Sequence, residues 1–284
     1  MKLLMKYEEA KKLIPTEFKR LCGVYPETFE LMVEIVKVYQ KQKKVVGRPS
    51  KLSTEDQVLM TLEYLREYRT YFHIAKDWGV YESTAFRIIR KVEDVLIKSS
   101  SFKLPGKKKL WESEAEPKVI VIDVTESKIE RPQKNRSDAI PEKEEITRLL
   151  SQVVANQETG EIICTFFGQG GSHDFKLFKL SKLKIREELI CLGDKGYQGI
   201  KKYHNKSLTP KKKPKKSRLS QEDKRQNQQL AQQRIIIEHI NRKLKIFRIL
   251  SEKYRNQRRR FGLRFNLIAG LYKYELMRAN AIPS

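Results

Sequence analysis

At 284 residues the chain has room for two domains and a sizeable core, and its 60 Lys and Arg against 35 Asp and Glu leave a formal charge of +25. Such an excess calls for a polyanionic partner, because each phosphate contact releases condensed counterions, but charge alone does not choose DNA over RNA or an anionic membrane surface. Membrane-spanning, secreted and zinc-bound classes are disfavoured: the apolar runs are strand-sized, the start turns charged too quickly for a signal peptide, and Cys22, Cys164 and Cys191 lie far apart with no CxxC pair.

Residues 1–45 read as a helical segment, with apolar side chains at helical spacing in TFELMVEIVKVYQKQKK and with Pro15 and Pro26 just ahead of helix starts. A basic linker broken by Gly and Pro follows (KKVVGRPSK). Residues 46–100 form a helix-turn-helix domain. Ser53 caps its first helix, with Asp56 three residues on and Val58, Leu59, Leu62 and Leu65 as the apolar stripe. A short second helix, Thr70–Trp78, ends at Gly79, and a third starts near Ser83 with Phe86, Ile89, Val92 and Leu96 on one face. Residues 101–117 are a polar, Lys-rich linker.

From Lys118 to the C-terminus the pattern is that of one α/β domain. VIVIDV has the signature of a buried strand, with Asp123 at its end, and QVVANQETGEIICTFFG reads as two strands around a turn. HDFKLFKLSKLKIREE reads as a helix and LICLGD as another short strand, with Asp194 just after it. The stretch 201–218 holds nine Lys or Arg and no acid and is expected to be an exposed loop. A long helix over 220–250 and a closing apolar helix complete the domain. Strand, hairpin, helix, strand, long helix describes an α/β layout with a mixed sheet, and the order is similar to ribonuclease H.

Asp123 and Asp194 at neighbouring strand ends would meet at one sheet edge, where an ionised carboxylate is costly unless a cation compensates it. Glu238 sits among Ile236, Ile237 and Ile240 in RIIIEHINRKLK and needs a partner as well. Three hard oxygen ligands without clustered Cys or His suit Mg²⁺ or Mn²⁺. Two such ions about 4 Å apart can activate the attacking oxygen and stabilise the leaving one in a phosphodiester displacement. The plainer reading has the aspartates capping turns and Glu238 pairing with Arg234 or Arg242 at helical spacing.

For DNA contacts, the start of the third helix offers Ser83, Thr84 and Arg87 to a major groove, helped by Arg90 and Lys91, and Arg48 in the linker can track a minor groove or backbone. A three-helix packing module with a charged surface is the alternative. The Lys-rich stretch 201–218 and the Arg run 255–260 flank the helix of the third acid and suit phosphate contacts.

The strings VIVIDVTES, GGSHDFKLF, LGDKGYQG, PKKKPKKSRLS, RIIIEHINRKLKIFRILSEKYRN and RRRFGLRFNLIAG, in this order, resemble the IS5-type insertion-sequence transposases of the DDE superfamily over most of residues 118–276. The preceding helical block is similar to the helix-turn-helix such transposases carry. The resemblance implies that Asp123, Asp194 and Glu238 are the three catalytic, metal-binding acids, and that Arg234 and Lys245 contact DNA; Ala231 stands where the family carries a tyrosine. His173–Asp174 matches a recurrent pair, although Ser172 or Asp174 capping the next helix is the simpler assignment, and His239 reads as structural.

The implied function is that of a bacterial transposase in the cytoplasm, associated with the nucleoid. It would bind the terminal inverted repeats of its element and hydrolyse a phosphodiester at each end with two Mg²⁺ or Mn²⁺ ions. The freed 3′-hydroxyl would then join target DNA, in a homodimer or larger synaptic complex. A DNA-binding regulator or catalytically inactive copy is the rival, and a repair or RNA nuclease of similar fold a third.

One segment supports the rival. Where relatives carry a basic, Gly-containing strand entry, residues 133–152 read QKNRSDAIPEKEEITRLLSQ. Codons for Ile140–Leu149 can be chosen so that a one-base shift restores the basic pattern, which suggests a pair of compensating frameshifts. On that reading the second strand would be damaged and a DNA-facing patch lost.

Overall fold

A computed structural model describes residues 6–42, 50–112, 117–130, 148–170, 173–214, 218–256 and 258–281. In chain order the elements are α1 (Tyr7–Ala10), α2 (Pro15–Cys22), α3 (Pro26–Lys41), α4 (Thr54–Glu67), α5 (Tyr71–Asp77), α6 (Glu82–Lys98), β1 (Val119–Lys128), β2 (Arg148–Asn156) and β3 (Ile162–Gln169). There follow α7 (Asp174–Ser181), β4 (Ile190–Leu192), β5 (Ser207–Leu208), α8 (Gln221–Lys245), α9 (Arg248–Ser251) and α10 (Phe261–Ala281). Two compact units emerge: a helical one, Met1–Lys103 with Leu244–Glu252 and Phe261–Ser284, and an α/β one, Leu104–Lys243 with Lys253–Arg260.

Local chemistry starts the helices of the first unit. Pro15 and Pro26 occupy first-turn positions, where the missing N–H costs nothing. Ser53 Oγ accepts from the Asp56 amide at 3.0 Å at the head of α4, and Thr70 Oγ1 accepts from the His73 amide at 3.2 Å at the head of α5. Gly79, at φ 63°, lies in the turn between α5 and α6. Leu62, Leu65, Ile74, Ala85, Ile89, Val92 and Leu96 are buried in the core that α4, α5 and α6 share.

By their contacts, residues 244–252 and 261–281 group with the helical unit. The cause is a set of contacts remote in sequence. Arg264 of α10, 1% exposed, donates to Glu93 of α6 at 2.7 Å and to the Tyr71 hydroxyl at 3.1 Å, with its guanidinium 4.9 Å from the centre of the Tyr64 ring. Further along α10, Gly270 lies against the backbone at Phe102, and an added Cβ would land on that residue's carbonyl oxygen. Gly→Ala in an open helix gains about 1 kcal/mol. At position 270 we expect the opposite sign, a loss of roughly 2 kcal/mol from overpacking against backbone. Thermal unfolding of Gly270→Ala beside the parent checks this, and a raised Tm would overturn it.

The second unit is built on a five-stranded sheet of order β3-β2-β1-β4-β5. β1, β2 and β3 are antiparallel neighbours, whereas β4 and β5 run parallel to β1. This is the mixed, ribonuclease H-like arrangement expected. Ile120, Ile122 and Val124 alternate onto one face, where they join Phe178 of α7, Tyr197 and Ile200 in the hydrophobic core. Val121 and Asp123 therefore fall on the opposite face.

The structure departs from several local expectations. β1 continues five residues past Asp123, because β2 pairs with it along Ile120–Lys128, so that acid lies in mid-strand. β2 is intact from Arg148 to Asn156 and hydrogen-bonded on both sides, so no damage reaches the strand itself; residues 133–147 of the atypical segment lie outside the described residues. α7 stops at Ser181, since Lys182 takes the left-handed conformation and Leu183 and Ile185 then pack on the sheet core as an extended segment. The Lys-rich stretch is partly built in: β5 pairs with β4, and buried His204 bonds the Arg186 carbonyl at 2.8 Å and Ser207 Oγ at 3.0 Å. Two residues of the linker are also anchored in the two cores, Phe102 and Leu110, both fully buried.

Candidate active site

The register of the sheet brings the two aspartates level. Val121 pairs with Leu192 where parallel β4 ends, and two residues further along each chain lie Asp123 and Asp194. β1 goes on, held by β2, while the chain after β4 turns away through a short 3₁₀ segment. Asp194 caps that segment, its Oδ1 accepting from the Gly196 amide at 2.8 Å.

α8 covers Asp123 from the other face. Asn241 Nδ2 donates to Asp123 Oδ2 at 2.9 Å, and Arg234 donates to Oδ1 at 3.3 Å. These residues are two helical turns apart, and Glu238 lies between them within about 60° of helix surface. Glu238 is thus on the side of α8 that faces Asp123, although its side chain is exposed rather than sheltered among the isoleucines. Ile237 and Ile240 are the buried pair, on the adjoining side. Arg234, expected on DNA, pairs with Asp123, and Lys245 is exposed at the end of α8, beyond the boundary of the α/β unit.

Asp174 is the residue the sequence reading undervalued. At the first position of α7, where no side-chain bond caps the helix, it lies beside Gly196: a Cβ there would land on the Asp174 carboxylate and come within 3.0 Å of Asp194 Oδ1. Asn241 was missed altogether; its only signal was the seven-residue spacing from Arg234.

Electrostatics tie these groups together. Burial pushes the Asp123 carboxyl up to about 6, the Arg234 cation opposes the shift, and Asp194 and Asp174 reinforce it. Burial followed by the Asp194 charge raises Asp174 as well. The Tyr197 hydroxyl, buried and held well above its usual range by desolvation and by Asp123, Asp174 and Asp194, has no hydrogen-bond partner among the described residues, and neither has Asn241 Oδ1. Arg234 lowers Asp123 and His173 lowers Asp174, but burial and the neighbouring acids outweigh both. The donors are all hard oxygens, which fits a divalent cation of the Mg²⁺ type. Among the described residues no group of three or more Asp, Glu, His or Cys side chains is placed to hold a metal ion as the side chains stand.

In the helical unit, α6 begins after a four-residue turn that exposes Tyr81 to 84%. A groove of about 850 Å³ beside this helix start is lined by Lys51, Lys76, Tyr81, Thr84, Arg87 and Lys91. Arg87 folds back on Ser83, donating to its carbonyl at 3.0 Å and to its Oγ at 3.5 Å, and both residues are exposed. Arg48 lies outside the described residues.

Comparison with known proteins defines the class. Residues 50–102 match the helix-turn-helix of DDE superfamily endonucleases, and residues 122–272 match the DDE superfamily endonuclease family itself. Enzymes of this superfamily generally use divalent metal ions. The chain is also 52% identical over 272 residues to a probable transposase for insertion sequence element IS702 from Microchaete diplosiphon, across 96% of this chain and 99% of that one. It belongs to the insertion-sequence transposases of the DDE superfamily, with an N-terminal helix-turn-helix. A solved pre-cleavage Mos1 transpososome aligns with 86% of this chain and 83% of its own at 9% identity and a TM-score of 0.21, a likeness too slight to build on. Among the described residues no helix is long and apolar enough to cross a membrane.

Proposed function

We propose that the enzyme binds the terminal inverted repeats of its own insertion sequence, hydrolyses a phosphodiester at each end and joins the freed 3′-hydroxyl to target DNA. Asp123, Asp194 and Glu238 would hold two Mg²⁺ or Mn²⁺ ions, which when bound supply Lewis-acid activation of the attacking oxygen and stabilise the leaving one. The observation carrying this reading is the desolvated Asp123, level with Asp194 at the end of β4 and faced by the Arg234–Glu238–Asn241 side of α8.

In this reading Asn241 and Arg234 hold the Asp123 carboxylate in one orientation, so the ligand does not have to be ordered when the ions arrive. Arg234 then has a second task, to turn towards a backbone phosphate once ions neutralise Asp123. Ser83, Thr84 and Arg87, with Arg48 in the linker, supply sequence-reading and phosphate contacts from the helix-turn-helix. Two transposon ends have to be cut together, which calls for a dimer or larger synaptic assembly.

The test is strand cleavage of a terminal-repeat duplex in Mg²⁺, parent against Asp194→Asn. Cutting by the parent and its loss by at least 10²-fold in the variant, with binding unchanged, is the expected result. Binding without cutting by either protein would favour the inactive copy, which the atypical segment 133–150 makes a specific rival.

A further inference from the structure

We infer that Asp174 is a fourth carboxylate of the active site, sharing the divalent cation with Asp194. The inference rests on the metal reading proposed above and adds a ligand to it. A helix-capping role, the simpler assignment, would have the Asp174 side chain bond an amide at the head of α7. Among the described residues the N-cap position, His173, makes no side-chain bond to the helix, and none from Asp174 is found. The carboxylate instead reaches across to Gly196, the residue whose amide holds Asp194. The absence of a side chain at position 196 is what leaves room for it, since a Cβ would occupy the place of the Asp174 oxygen.

An independent feature points to a ligand at the same spot. Tyr197 is fully buried, yet among the described residues its hydroxyl has no hydrogen-bond partner, and Asp123, Asp174 and Asp194 all act on it electrostatically. A buried hydroxyl left unpaired is costly in a finished core. With the Asp174 and Asp194 carboxylates meeting at Gly196, the residue before it, this hydroxyl is a donor for a carboxylate or a metal-bound water. Asn241 Oδ1, also unpaired, adds a neutral oxygen to the donors.

Titrating the full chain without DNA with Mn²⁺, followed by the loss of free-ion electron paramagnetic resonance signal, tests the assignment. Asp174→Asn is expected to weaken Mn²⁺ binding by about tenfold or more at unchanged helix content, and added Mn²⁺ should restore part of the lost cleavage. Gly196→Ala, which crowds Asp174 while keeping every acid, should weaken Mn²⁺ in the same direction; it settles the matter if Asp174→Asn does not fold. Asp123→Asn is the control. Parent-like Mn²⁺ affinity in Asp174→Asn and Gly196→Ala, with binding lost in Asp123→Asn, would overturn the role of Asp174 and leave the metal reading standing. Parent-like affinity in Asp123→Asn would overturn both.

Discussion

Replacing Asp123 by Asn should stabilise the metal-free protein at neutral pH while removing its ability to cut DNA. The carboxyl has a value near 6 in the folded chain against an ordinary 3.8. An acid whose value rises on folding binds its proton more tightly in the native state, so it costs nothing at low pH. The penalty grows as pH climbs from about 4 through about 6 and is complete at pH 7. Asn imitates the neutral form. Its advantage should therefore be small at pH 4.5 and on the order of 2–3 kcal/mol at pH 7.5, the size of a two-unit shift. Denaturant unfolding of both proteins at the two pH values, in chelator, measures it. Adding Mg²⁺ should then shrink the gap, because only the parent gains binding energy. An equal difference at both pH values, or an Asn variant less stable at pH 7.5, would contradict this account. Strand cleavage should fall by 10²-fold or more in the same variant. A catalytic site that keeps a carboxylate out of water explains why the two effects have opposite signs.

The second large effect belongs to the buried ion pair of the helical unit. Glu93 and Arg264 are 0% and 1% exposed, and Arg264 also serves Tyr71. Removing one partner strands the other charge away from water, which typically costs 3–5 kcal/mol. Arg264→Met and Glu93→Leu should each destabilise by about that much, whereas the double variant should be closer to the parent than their sum. Additive losses in the cycle would mean that the pair is not a coupled unit. Because Glu93 lies on α6 and Arg264 on α10, the single variants should also weaken binding of a terminal-repeat duplex, through the framework of the helix-turn-helix rather than through any DNA contact.

Much of this protein could be read from its residues. Ser53 and Asp56 mark the head of α4, Gly79 the break before α6, and VIVIDV the central strand, because caps, turns and apolar periodicity depend on neighbours a few residues away. Asp123, Asp194 and Glu238 stood out as acids in apolar surroundings, and the ordered motifs pointed to the transposase family that the comparisons established. α7 ends earlier than the sequence pattern predicts, because LKIREE keeps helical propensity after Lys182, whereas the sheet surface offers Leu183 and Ile185 better burial as an extended strip.

What the chain by itself determined is its class, its local elements and a short list of acids. Tertiary structure alone decided that α10 packs with the helix-turn-helix, since that depends on Arg264 meeting a glutamate 171 positions away. It decided too that Asn241 and Arg234 grip Asp123, at separations of 118 and 111, and that Asp174 comes up against Gly196 beside Asp194. The physical reason is common to all three. Burial and charge compensation are properties of a place in the fold, and no window of sequence contains both members of a pair that only folding brings within hydrogen-bonding distance.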